Sequence, residues 1–157
     1  MSDYPVRRKD RQMTDETEIE ALLERALVGR IATCSDGEPY VVPLCFVCEG
    51  GKVFFHAARV GKKMDYLRAN PRVCFEVDEW LGLIPAHHGC AVSVRYRSVI
   101  AFGRYCEVTD EGERLRALEL ISHKYAGRPN APMAQQHLDE TLIGQITIES
   151  MTGKKNG

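Results

Sequence analysis

Residues 54–63 read FFHAARVGKK, which gathers a histidine, an arginine and two lysines just past an aromatic pair. The formal charge of the whole chain is only −1, so this concentration of positive charge is local. An apolar run ends near Ala57, a tight segment holds Arg59 and Gly61, and the spacing of Met64 and Leu67 predicts a helix over 61–69 with Pro71 just past its end. Helix N-termini carry unpaired N–H groups and a partial positive charge, so they hold anions. Lys62 and Lys63 in the first turn oppose that dipole, at a cost of roughly a few tenths of a kcal/mol unless an anion sits between them and the backbone. Such local conflicts are found at functional sites. Two readings stay open here: a phosphate cradle of Arg59, Lys62, Lys63 and nearby N–H groups, or an exposed basic turn.

Thiols and imidazoles offer a second chemistry. Cys45 and Cys48 have CxxC spacing, and His87, His88 and Cys90 follow downstream. Within a strand, however, residues three apart face opposite sides, so these two thiolates cannot share a tetrahedral zinc unless Cys48 already lies in a turn. They read as buried structural thiols, with no metal site. His87 and His88 read as loop residues near the mouth of a pocket, and His123 and His137 as surface residues. Trp80 and Phe102 read as core or interface residues.

These residues need a scaffold. Asp15 and Glu18 have capping-box spacing; Ile19, Leu22, Leu23, Ala26 and Leu27 follow at helical intervals, and Gly29 is a natural stop. Asp36-Gly37 between two apolar runs is a hairpin signal, and Gly50-Gly51 precedes a third run. Strands are expected near 30–35, 39–48 and 52–57. In the second, both alternating sets are apolar, so both faces must be covered; Pro43 within it marks an edge or a bulge. Further strands are expected over 72–80, 92–108 (with a bulge at Gly103) and 142–150, with 81–90 a loop. Asp110 and Glu113 open another helix whose face is Leu115, Leu118, Ile121 and Tyr125, ending at Gly127.

With 157 residues, the chain is expected to form an irregular arm over 1–13 and one domain over 14–157. Near-neutral charge argues against a nucleic-acid binder. No apolar stretch approaches the length of a membrane span, and no secretory signal core is evident. Six cysteines in that context indicate free thiols in a reducing cytoplasm. The fold expected is mainly β (α+β): a six-stranded antiparallel split β-barrel with short flanking helices.

Three segments in order, GRIATCSDGEPYVVPLCF, KVFFHAARVGKKMDYLRANPRVCFEVD and YRSVIAFGRYCEVTD, resemble the pyridoxamine 5′-phosphate oxidase-like split-barrel flavoproteins, and within them the nitroimidazole-resistance (Nim-type) branch. The resemblance runs from about Met13 to Lys155. It implies a homodimer with two flavin mononucleotides (FMN) in clefts at the subunit interface. It further implies that Val42, Pro43 and Leu44 border the isoalloxazine ring through backbone atoms, and that the segment from His56 and Ala57 to Lys63 holds the phosphate. Lys62 and Lys63 match the family's basic pair, and Arg59 is a helper. His56 borders the flavin and is the candidate for a proton-donating or catalytic contact. Ser98 matches a polar position near the flavin, and Lys154 in the closing segment is placed to reach the site. Relatives in the wider group bind haem or the deazaflavin F420 instead of FMN. The final residues, GKKNG, replace the Arg/His-bearing segment with which true pyridoxamine phosphate oxidases recognise substrate, so that reaction is not expected. The activity implied is a flavin-dependent oxidoreductase moving electrons from a small-molecule donor, reduced nicotinamide, to an electron-poor acceptor such as a nitro compound. The alternative is a non-catalytic flavin or haem carrier of the same fold.

Overall fold

The computed structural model describes residues 6–86, 92–127 and 140–157. Its hairpins follow from glycines and Asp36 in the left-handed region. Asp36 (φ 50°) and Gly37 (φ 80°) join β2 (Gly29–Ser35) to β3 (Glu38–Leu44), and Gly50 (φ 58°) and Gly51 (φ 74°) join β4 (Val47–Glu49) to β5 (Lys52–Ala58). Turns with two positive φ values carry the twist that flanking strands need. Before them come a 3-10 turn (Lys9–Arg11), β1 (Gln12–Met13) and α1 (Glu16–Arg25). After them come α2 (Lys62–Ala69), β6 (Arg72–Ile84), β7 (Ser93–Glu107), α3 (Glu111–Ala126) and β8 (Thr141–Asn156).

The strands form one antiparallel sheet in the order β3-β2-β6-β7-β8-β5-β4, with β1 added to β8. Six of them have seven or more residues, which is the expected six-stranded framework; β1 and β4 are short additions. The sheet does not close by hydrogen bonds, yet its two end strands β3 and β4 are joined through Cys45 and Phe46 alone. That link holds the two ends of the sheet together and makes the barrel split rather than flat. Phe46, Phe55, Phe75, Leu22, Met64 and Leu67 fill the interior, all fully buried. A second, smaller cluster packs Ala117, Leu118 and Ile121 of α3 on Phe54 and Ile143, so β5 is covered on both faces.

Several boundaries differ from the sequence expectations, each for a local reason. The strand expected over 39–48 breaks at Cys45-Phe46, because Phe46 turns into the core and its N–H is taken by the Tyr125 hydroxyl at 2.8 Å. In β3, Tyr40, Val42 and Leu44 are half-buried, while Val41 and Pro43 face outward and exposed, as is Cys45 just past the strand's end. Pro43 does lie on an edge strand, as its missing donor requires. Helix α1 stops at Arg25, leaving Leu27 59% exposed, and Gly29 opens β2 instead; a Cβ there would lie 2.1 Å from the Phe75 ring. Strand β6 continues through part of the expected loop to Ile84, because a register shift between Trp80 and Gly82 (φ 126°) absorbs Leu81 and hides the period. A second shift falls at Gly103 as expected, opposite Glu149, and β8 then runs on to Asn156 rather than ending at 150. The N-terminal stretch is anchored at its end, where Gln12 pairs with Lys154 and Met13 is buried against Gly153. On α3, Ala117 takes the buried place expected of Leu115, which is exposed; Gly127 (φ 64°) ends the helix as expected.

Candidate functional site

The segment between β5 and α2 turns on Gly61, whose φ of 117° and ψ of 163° no other residue adopts readily. Nothing lies within 4 Å of a Cβ built there, so the backbone angle alone demands glycine. Its carbonyl accepts the N–H groups of Met64 (2.8 Å) and Asp65 (3.1 Å), and as a glycine it has no side chain with which to cap the helix. The first turn therefore opens toward whatever anion approaches.

The three cations of this segment fan out to different neighbours. Arg59 donates to Glu107 on β7 at 2.9 Å, and its carbonyl accepts from Arg68 at 2.8 Å. Lys62 donates to Glu38 at the start of β3 at 2.9 Å, and its ammonium lies 4.9 Å from the Tyr40 ring and 5.2 Å from the Tyr66 ring. The Glu38 hydrogen bond raises the Lys62 pKa above its ordinary value. Lys63 is half-buried, with its ammonium 5.5 Å from the Phe55 ring. Burial lowers its pKa, and among the described residues no carboxylate lies within ion-pair distance of it. A half-buried ammonium without an acid, beside an uncapped helix start, fits a phosphate group.

Strand β3 runs from Glu38, beside Lys62, to Leu44 in the register Ser35↔Glu38 through Gly29↔Leu44. In a two-residue hairpin the pair flanking the turn is hydrogen-bonded, and pairs alternate from there. Pro39, Val41 and Pro43 then direct their carbonyls to the open edge, and Val41 its N–H, so the two prolines cost the ladder nothing. This edge can meet a planar ring through backbone atoms. Val42 and Leu44 instead turn their side chains inward, packed against the core.

His56 faces outward from β5, exposed, opposite in sense to the fully buried Phe55. Ala57 is buried, so it can reach a ligand only through its backbone. Ser98 and Lys154 are half-buried cross-strand partners on β7 and β8. Three ladder steps separate β7 from β3, roughly 14 Å at the usual strand spacing. The chain thus brings Lys62, with Lys63 beside it, to the start of β3, while Ser98 and Lys154 stand on strands three and four ladder steps from β3.

Some sequence readings change here. Cys45 is exposed at the β3–β4 link rather than buried, and Cys48 is half-buried with its thiol pushed up to about 12 by burial. Trp80 is 66% and Phe102 49% exposed, which removes the core reading for both. His123 is exposed on α3. His87, His88, Cys90 and His137 lie outside the described residues. Among the described residues, no three metal-ligating side chains gather. Glu38, Tyr40 and Tyr66 escaped the sequence reading, because their meeting at Lys62 depends on how α2 sits against the β2–β3 hairpin.

A sheet of this order, split between β3 and β4 and with Met64 and Leu67 of α2 packed into its core, defines a split-barrel protein. The chain belongs to the pyridoxamine 5′-phosphate oxidase family, whose model matches residues 15–155. Among solved structures, it is similar to a Bacteroides thetaiotaomicron protein named for 5-nitroimidazole antibiotic resistance, with 25% identity, a TM-score of 0.80, and coverage of 92% of this chain and 86% of that one. It is also similar to a FAD-binding protein of Mesorhizobium loti, with 29% identity, a TM-score of 0.70, and coverage of 94% and 98%. An uncharacterised protein of Rhizobium meliloti is 28% identical over 136 residues, covering 81% of this chain and 83% of that one.

Proposed function

We propose that the chain is an FMN-binding flavoprotein that acts as an oxidoreductase, using reduced nicotinamide to reduce nitro compounds or similar electron-poor acceptors. The observation that carries this reading is Lys63, a half-buried ammonium in the first turn of α2 with no acid among the described residues within ion-pair distance. Lys63, the backbone N–H groups of the first turn and Lys62, once released from Glu38, hold the phosphate; Arg59 steadies the loop through Glu107. The open edge of β3 at Val42–Leu44 borders the ring, and His56 stands on the adjoining surface as the candidate proton donor. A bound flavin supplies the redox chemistry; the chain binds it, orients it and shields it from water. Ser98 and Lys154 join the site from the second protomer of a homodimer in the cytoplasm.

Purified protein mixed with FMN, or in parallel with FAD, and passed down a desalting column is expected to keep the flavin's visible bands. A colourless protein with either flavin would sink the reading. The double variant Lys62→Ala/Lys63→Ala is expected to weaken flavin binding by roughly 30-fold or more, since charge-assisted phosphate contacts are lost. Steady oxidation of reduced nicotinamide in the presence of a nitro compound separates the enzyme from a flavin carrier.

A further inference from the structure

Beside the seam where α3 packs on β5 lies a hollow of about 330 Å³, walled by Leu118, Ile121 and Tyr125 of α3 and reached by Cys45 and His56. Among the described residues, no charged side chain lines it. That sets it apart from the hollow of about 280 Å³ on the other side of α3, whose lining carries Glu49, Lys52, Glu113 and Arg116 already paired with one another. Small-molecule sites are largely apolar with a few placed polar groups, and run from about 300 to 1,000 Å³. This hollow is at the small end of that range. It has room for a single substituted ring and not for a dinucleotide.

Its walls are fixed. The Tyr125 hydroxyl accepts the Phe46 N–H at 2.8 Å, with the carbonyls of Leu27 (2.8 Å) and Phe46 (3.0 Å) as alternative acceptors for its proton. Leu118 and Ile121 are held by their contacts with Phe54 and Ile143. Among the described residues the His56 imidazole has no hydrogen-bond partner, while the exposed Cys45 thiol hydrogen-bonds with the Tyr125 hydroxyl. The position of the hollow also matters. Strand β3 leads from Glu38, at Lys62, to Leu44, immediately before Cys45, a rise of roughly 20 Å over six steps. The Cys45 side of the hollow therefore lies at the end of β3 away from Lys62, while its His56 side adjoins Phe55, over whose ring Lys63 lies.

We infer that this hollow is the acceptor site: it takes a small, planar, uncharged aromatic molecule, with His56 donating a hydrogen bond to a polar substituent and α3 setting the size limit. Its place in turnover rests on the flavoprotein reading above; its ability to bind does not. Cys45 reports on occupancy directly. The full-length protein, with and without FMN, is reacted with iodoacetamide in the presence and absence of 2-methyl-5-nitroimidazole, and alkylation of each cysteine is followed by peptide mass spectrometry. Cys34 and Cys106, exposed elsewhere, serve as internal controls. The nitro compound is expected to slow labelling of Cys45 at least fivefold and leave the two controls unchanged. Ser122→Trp, which places a ring in the hollow from α3, is expected to remove that protection while leaving flavin retention as it was. Unchanged labelling of Cys45 at millimolar nitro compound, with and without FMN, would overturn the inference. So would full protection by FMN alone, since the hollow would then belong to the flavin. Protection in a protein that retains no flavin would keep the hollow as a ligand site and remove the flavoprotein reading instead.

Discussion

Lys62 and Lys63 are adjacent in one helical turn and experience opposite fields. Glu38 stabilises the charge on Lys62, while burial beside Phe55 disfavours the charge on Lys63 and lowers its pKa below the ordinary 10.5. A lysine whose folded pKa is depressed costs stability at every pH below that value, and the cost is relieved as pH rises through it. Lys63→Met is therefore expected to shift the urea midpoint of the flavin-free protein upward at neutral pH, while weakening flavin binding. A downward shift would mean that the ammonium has a stabilising partner. A bound phosphate reverses the field, so flavin affinity should fall as pH rises through the Lys63 titration, beginning below the usual lysine range. Lys63→Arg, which stays charged, should flatten that fall in a titration of affinity against pH. The types and spacing of this pair were readable from the sequence, because a cation at a helix start is a local conflict. What each ammonium touches was not, since Glu38 and Phe55 arrive from other strands.

Strands and helices were legible where local signals agree with packing, and not where a long-range contact decides. The Asp36-Gly37 turn and the Met64/Leu67 stripe of α2 appeared where the residues placed them, and a register shift falls at Gly103, although its extra residue is Glu149 on β8. The break at Cys45-Phe46 did not, because a tyrosine on α3, far along the chain, captures the backbone of Phe46. Tyr125→Phe leaves that N–H, in a fully buried residue, without its partner. It is expected to cost about 1–3 kcal/mol in urea denaturation and to loosen the hinge between β3 and β4. A loss well under that range would show that water replaces the hydroxyl. The expected capping box of α1 formed only in part: Asp15 accepts from the Thr17 N–H at 2.9 Å, but the Glu18 carboxylate turns to Lys155 at 2.7 Å and Arg97 at 3.2 Å. With Arg25 on Glu79, these pairs tie α1 to β6, β7 and β8. Hydrogen bonding to these cations holds Glu18 and Glu79 below their ordinary 4.5. Depressed carboxylates contribute stability above the unfolded pKa that is lost as pH falls through the folded one. The denaturation midpoint should therefore fall with acidification below about pH 4.5, and Glu18→Gln should reduce that slope while costing only about 0.2–1 kcal/mol at neutral pH.

At the scale of the molecule, the outer face of the sheet is what a single copy leaves unexplained. Val41 is 60% exposed, Ile100 40% and Phe102 49%, and a hollow of about 370 Å³ opens between Phe102, Cys74 and Ala32. The register sets Ser98 beside Lys154 on this same side of the sheet, away from Lys62 and Lys63. If both sets hold one flavin, they must come from two chains related by a two-fold axis. Phe102→Glu, which places a charge in that face, is expected to yield a monomer by light scattering, with unchanged circular dichroism and most of its flavin lost. A monomer that keeps its flavin would put the whole site within one chain. Mixing protomers gives the sharper test. Neither Lys62→Ala/Lys63→Ala nor Lys154→Ala should retain flavin well alone. Unfolded together at equal amounts and refolded, they should form mixed dimers in half the population, each with one site carrying all three lysines. About a quarter of the wild-type flavin sites should then return. No recovery would mean that Lys154 and the α2 lysines act on the same protomer, and a Lys154→Ala protein that keeps its flavin by itself would put Lys154 outside the site.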